Sequence, residues 1–331
     1  VAGIQVFTYA NLAKESTRGT AVPPTRQLYA EGTSVLDVDP GLNFHEGENA
    51  GVRTRVRRVT QTKEDVNLRL RTASGVSYDD LTIFESWLKG GLTFSGAGAD
   101  KTVACVPSMT AANNPEAFTF DVGDDTQNFR VDYVMARSMK LSASLGDLTQ
   151  IEADCFGQQA TKAAKASPAI NSSIKIPGDL WTIKFAASQA GLTGASVQNN
   201  FLIDWDLDIQ TGVKPRHYMD GNLFFGQHVE TDIAATLSMT VESTALAVSE
   251  FYDKWLAGTL DFVRLRAAGP SLGGSSYSTQ LDLPMLWSKV EPISDEDEGI
   301  NLYRVEGNLA YDPTSAASIQ WTTVQSLTAL P

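Results

Sequence analysis

A chain of 331 residues, 42% hydrophobic and 20% charged, is a folded protein with room for two cores of ordinary size and a lightly charged surface. Its 39 acidic against 26 basic residues give a formal net charge of −13, which disfavours tight binding to DNA phosphates but suits a surface past which DNA must slide without sticking. No apolar run approaches the length of a bilayer span, and the N-terminus, which starts at Val1 as a processed or trimmed chain would, lacks the basic segment and hydrophobic core of a secretory signal.

Residues 1–34 hold few periodic apolar positions and carry Gly19, Pro23 and Pro24, so they read as an extended arm. Residues 35–59 contain two strands, interrupted by the turn-rich Asp39-Pro40-Gly41 and by a polar loop from Glu46 to Gly51. Alternation puts Arg53, Arg55 and Arg57 on one strand face, with Arg58 adjacent. No stacking aromatic is interleaved with them, as a single-strand platform would have. The row reads as partners for carboxylates on a neighbouring strand or subunit, with individual exposed arginines free to steer passing DNA. A further alternating strand runs from Val66 to Arg71.

Asp79 to Gly90 then places Leu81, Phe84, Trp87 and Leu88 at helical spacing, with glycine as the stop. The small, polar stretch from Gly96 to Asn114 reads as a mobile loop or insertion. Strands resume at Phe118–Val122, Phe129–Val134, Met139–Leu145 and Leu148–Gly157, the last two joined by a tight turn at Gly146-Asp147.

The second half repeats this order. After Leu180–Phe185 and a Gly/Ala/Ser-rich segment, Phe201–Ile209 and Ala235–Val241 alternate with period two. Val248, Phe251, Trp255 and Leu256 echo the helix, again ended by glycine at Gly258, and a strand follows at Leu260–Val263. Trp87 and Trp255 stand about half a chain length apart, which reads as two related domains and not as a solenoid. Residues 269–276 read as a flexible loop, Pro284 as an edge or break, and Asp295 to Gly299 as an acidic turn before the Ile300–Tyr311 strand. The expected organisation is an arm at 1–34, a first β domain at 35–160, a linker at 161–179, a second β domain at 180–312, and a tail at 313–331 in which Trp321 is a docking point.

No catalytic constellation emerges. G-x-S-x-G, P-loop, G-x-G-x-x-G and H-E-x-x-H signatures are all missing from the sequence. Cys105 and Cys155 read as buried free thiols, and His45, His217 and His228 lack zinc-like spacing. Asp204, Asp206 and Asp208 share a strand face but are spaced too widely for a compact single-ion cage. The chain is therefore expected to have no catalytic, cofactor-binding or metal-binding residues, and not to be an enzyme.

Taken together, Phe201–Ile209 with Thr211–Gly221, Met239–Glu242, Phe251–Gly258 and Tyr303–Gly307 resemble the tail tube (major tail) proteins of long-tailed bacteriophages and related tail-like particles. Leu68–Gly90 and Ser138–Gly157 carry the same resemblance more faintly, and it covers most of residues 35–312. It implies a mainly β fold: two tandem β-sandwich or barrel modules, each flanked by one α-helix. It implies rings whose inner sheets form a continuous barrel, stacked into a tube that DNA traverses without sequence-specific binding.

With two modules per chain, three chains would form a pseudo-sixfold ring. The competing arrangement is a hexamer of single tube domains, each with a second, decorative domain. Implied partners are further copies of the chain and tape measure, tail terminator and baseplate proteins, with no membrane and no cofactor. The implied location is the virion tail, assembled in the cytoplasm of the bacterial host. Two alternatives remain at this point: another homo-oligomeric virion component such as a capsid or baseplate β-protein, and a secreted carbohydrate-binding or carbohydrate-acting β-sandwich.

Overall fold

A computed structural model describes residues 9–28, 35–49, 52–61, 63–72, 74–123, 127–168, 173–295, 300–316 and 318–331; the side chains of Tyr9, Val35, 43–49, 52–60, Ser294, Asp295 and Ile300 fall outside that description. The chain is mainly β, as expected; the described residues also hold two helices and two short 3-10 turns at Gly178–Leu180 and Ala190–Thr193. The first half runs β1 (Tyr9–Lys14), β2 (Arg26–Leu28), β3 (Val35–Asp39), β4 (Leu42–Asn49), β5 (Val52–Gln61), β6 (Asp65–Arg71), helix α1 (Tyr78–Glu85), β7 (Phe94–Ser95), β8 (Lys101–Cys105), β9 (Phe118–Gly123), β10 (Asn128–Ser144), β11 (Gln150–Gly157) and β12 (Ala160–Lys162). The second runs β13 (Trp181–Ala186), β14 (Leu202–Gln210), β15 (Val213–Arg216), β16 (Gln227–Glu230), β17 (Ala234–Glu242), a helix built from Ala245–Ala247, Val248–Tyr252 and Asp253–Ala257, then β18 (Asp261–Leu272), β19 (Ser275–Asp295), β20 (Ile300–Leu309) and β21 (Gln320–Gln325).

The pairing repeats between halves. In the first, β3, β6, β11 and the C-terminal part of β10 lie side by side, while the N-terminal part of β10 crosses to a second sheet with β9, β1 and β12. In the second, β14, β17, β20 and the C-terminal part of β19 correspond, and the N-terminal part of β19 crosses to β18, β13 and β21. A hairpin stands between β3 and β6, formed by β4 and β5, and another between β14 and β17, formed by β15 and β16. One long strand thus joins both sheets of each sandwich. Pro284 sits where β19 changes partner from β21 to β20; it stays in register with Phe262 of β18, and its carbonyl accepts the Ala310 N–H at 2.8 Å.

Each helix, with the turn that follows α1 in the first half, fills its sandwich with aromatic rings. Trp87 meets Phe84, Phe118 and Phe120 with ring centroids 5.4–6.4 Å apart. Phe251 meets Phe185, Phe201 and Trp287 at 4.8–5.9 Å. Ser77 caps α1 by accepting the Asp80 N–H, and Thr244 caps the second helix by accepting from Ala247. The helices end differently. Gly258, at φ 60°, closes the second as expected, whereas α1 stops at Ser86, before Gly90. The second helix also carries a π-turn over Val248–Tyr252, an extra residue relative to α1.

Several expected loops are strands. The 1–34 arm contributes β1 and β2, and Ala10, Asn11, Leu12 and Ala13 are all buried. With both faces covered, β1 shows no alternation to read. The loop expected at 96–114 supplies β8, which pairs with β21 of the second half and buries Val103 and Cys105. The tail expected at 313–331 supplies β21, with Trp321, Thr323 and Gln325 fully buried. A polar, β-branched inner face hides such a strand from a hydrophobicity pattern; Trp321 donates from Nε1 to Thr279 at 3.0 Å. The 269–276 loop is the end of β18 and start of β19 around a Gly273-Gly274 turn, and the 46–51 loop lies largely within β4. In the stretch expected as a linker, Ile176 is fully buried and bonded through its backbone to Val76 and Thr149.

Candidate assembly interface

The two halves join edge to edge. Ser138–Ser144 of β10 pair with Asp204–Gln210 of β14, so four strands of one half and four of the other make one eight-stranded sheet. Its strand order is β3, β6, β11, β10, β14, β17, β20, β19. Among the described residues the pairing does not return on itself. β3 pairs only with β6, and residues 289–295 of β19 pair only with β20. Among the described residues the sheet therefore ends in two free edges, where no neighbouring strand meets the backbone.

Alternation sorts the side chains by face. One face carries Leu68, Leu70, Ile151, Ala153, Met139, Leu141, Leu207, Ile209, Leu237 and Met239, all buried in the core. The opposite face is polar and open. Asn67, Arg69, Arg71, Glu152, Asp154, Lys140, Ser142, Asp206, Asp208, Thr236, Ser238, Arg304, Glu306 and Asn308 are exposed or half-buried there. Cross-strand ion pairs tie it together. Arg69 and Arg71 reach Glu152 at 2.9 and 2.7 Å, and Lys140 of β10 reaches Asp206 of β14 at 3.2 Å. These pairs are solvated, so they set register more than stability.

The junction continues into the core. Trp205 lies opposite Ala143 across it and meets Trp181 at a centroid distance of 4.6 Å, while Trp181 donates to Thr149 at 2.8 Å. The second half's β15–β16 hairpin folds back over the first half. Phe225 packs on Tyr133 and Phe156, and the Glu230 carboxylate accepts the backbone N–H groups of Asn113 and Asn114 at 2.8 and 3.1 Å.

Helix α1 is sealed between halves. Asp79 accepts from the backbone and hydroxyl of Ser326, both at 2.9 Å, and Thr323 of β21 donates to Glu85. Burial pushes the Glu85 carboxyl up to about 8. Asp80 is held by Arg26 at 2.8 Å, yet burial still raises its pKa.

Sequence-flagged residues fall as follows. Asp204, Asp206 and Asp208 lie half-buried along β14 on the open polar face, with Lys140 supplying the positive partner. Among the described residues, no group of three or more His, Cys, Asp or Glu is arranged to hold a metal ion. Cys105 and Cys155 are free and buried. His228 contacts the Tyr133 hydroxyl at 3.1 Å and, largely through burial, is held below the ordinary histidine range. His217 lies 3.5 Å from Asp65.

The strand register sets Arg53 opposite Glu48 and Arg55 opposite Glu46, but these side chains and that of His45 lie outside the described residues. Residues 296–299 of the acidic turn also lie outside. No described helix is long and apolar enough to cross a membrane. The two free edges were not visible in the sequence, because pattern reports which face of a strand is apolar and not which edge lacks a neighbour.

No family model matches this chain, and no curated protein matches it. Among solved structures it is similar to a crystal structure of Hcp protein. The identity is 15%, the match covers 43% of this chain and 96% of that one, and the TM-score is 0.22. So loose an overlay carries no argument about function.

Proposed function

We propose that this chain is a structural protein, not an enzyme, whose copies join head to tail through the free edges of the eight-stranded sheet and stack into a hollow tube. The observation that carries the reading is the junction inside the chain. Two like-folded halves already pair edge to edge through β10 and β14, and the same two kinds of edge are left open at β3 and β19. Such a contact is heterologous: repeated with a rotation that closes it makes a ring, and closure removes both exposed edges.

The finer reading is a phage tail tube, supported by the resemblance of residues 35–312. Three chains supply six modules per ring, with the polar face, on which carboxylates slightly outnumber basic groups, lining the channel. That face would repel DNA phosphates and let the duplex slide during delivery into the host. In this reading the tube is assembled in the bacterial cytoplasm, becomes part of the virion, and meets tape measure, terminator and baseplate proteins at its core and ends. Electron microscopy of concentrated protein tests it: hollow filaments of stacked rings are expected. Closed shells would favour another virion component, and monomers dispersed at all salt and protein concentrations would overturn assembly.

A further inference from the structure

We infer that the junction inside the chain is the template for the junction between chains, and that it fixes a single register. Val290 of one copy lies opposite Val38 of the next, with Lys289 opposite Asp39 and Glu291 opposite Asp37. This rests on the assembly reading above and specifies its contact.

The register follows from the repeat. β10 carries a bulge between Ala136 and Ser138, and β19 carries one between Trp287 and Lys289, each at the same place in the strand's pairing with its neighbour, β11 or β20. Val290 is thereby the counterpart of Met139, and both are buried on the core face. Across the first half, Ser138, Asp154, Arg69 and Val35 stand in one row; across the second, Lys289, Glu306, Ser238 and Asp206 do. Val35 is then the counterpart of Asp206, and Val38 that of Ile209. Inside the chain Met139 pairs with Ile209, so between chains Val290 pairs with Val38.

Two observations independent of the bulges agree. Ile209, covered by the junction, is 0% exposed, whereas Val38 is 38% exposed on the same face of an equivalent strand, an apolar side chain lacking the cover its counterpart has. On the polar face, Asp37 and Asp39 are exposed at the open edge of β3. The register sets Lys289, which holds Glu291 at 2.8 Å on its own strand, opposite one and diagonal to the other, as Lys140 reaches the diagonal Asp206 at 3.2 Å across the junction inside the chain. It also sets Glu291 opposite Asp37, a like-charge pair that Lys289 has to offset. A slip of one residue would turn Val38 to the polar face.

The test is cysteine cross-linking in assembled protein, where both native cysteines are buried and contribute little background. Directly opposed antiparallel residues lie about 4.5–5.5 Å apart, within disulfide range. Val38→Cys combined with Val290→Cys is expected to give a disulfide-linked ladder on a non-reducing gel, ending at three chains.

Leu36→Cys with Val290→Cys, and Val38→Cys with Pro292→Cys, report the two-residue slips and are expected to cross-link far less. Hydrogen exchange on the unsubstituted protein covers the case in which the variants fail to fold: of the amides in 36–39 and 289–293 (Pro292 has none), those that face the open edge, away from β6 and β20, should slow on assembly. Assembled protein that cross-links only in the slipped pairs, or shows no new protection at these amides, overturns the register while leaving assembly standing. Unsubstituted protein that never assembles overturns the assembly reading itself.

Discussion

Replacing Glu85 by glutamine removes one titrating group from the seal between the halves. The carboxyl is fully buried, accepts one hydrogen bond from Thr323 and leaves Oε2 without a partner, and burial raises its pKa from 4.5 to about 8. An acid whose folded pKa lies above its unfolded value binds more proton in the native state between the two. Its contribution to stability is therefore full below about pH 4.5 and is lost as pH rises toward 8. At about 1.4 kcal/mol per pH unit, the native protein should lose on the order of 4 kcal/mol across that window from this group alone.

Glu85→Gln abolishes the dependence but buries an amide with unsatisfied N–H donors, costing about 1–3 kcal/mol at every pH. The variant should be less stable than the parent near pH 5 and more stable near pH 8. Urea melts of both proteins at pH 5, 6, 7 and 8, at a concentration that keeps them dispersed, would show the two stability curves crossing. A constant offset between them across that range would refute the assignment of a neutral, buried Glu85.

The aromatic centres of the two halves should differ in sensitivity: Trp87→Ala, at a fully buried ring, is expected to cost about 3–5 kcal/mol by denaturant melt, and Trp255→Ala, half-buried, clearly less. Gly307 lies beneath Trp287, where an added Cβ would come within 2.7 Å of the indole, so Gly307→Val should cost about 1–3 kcal/mol in thermal unfolding. Asp282 holds Arg264 through two bonds of 2.6 and 2.8 Å in a largely buried site; Asp282→Ala leaves that guanidinium unpaired and should cost about 3–5 kcal/mol, while replacing both partners by apolar residues should recover much of it.

The helices and long central strands were legible because their patterns are strong. The spacing around Phe84 and Phe251 marked both helices, although Trp87 falls in the turn after α1 while Trp255 lies inside the second helix, and Val66–Arg71 and Ala235–Val241 alternate cleanly on a sheet with one wet face. Elements whose buried positions carry polar residues were not legible. β1 buries Asn11 along with Leu12, and β21 buries Thr323 and Gln325 along with Trp321, so tertiary hydrogen bonds to Ala166 and Thr279 replace the apolar signal. The glycines at 273 and 274 read as a long loop, where the chain makes only a tight turn between extended strands. That Asp204, Asp206 and Asp208 share one strand face was legible, but the place of that face at a junction depended on the pairing of β10 with β14, which no local pattern encodes.

The central claim is that β3 and the end of β19 are complementary edges. Rotational averaging of end-on cryo-electron micrographs of concentrated protein tests it most directly. The account predicts a hollow ring of three chains with six similar lobes around one continuous inner barrel. Isolated monomers, or two-fold dimers that pair β3 with β3, would contradict it.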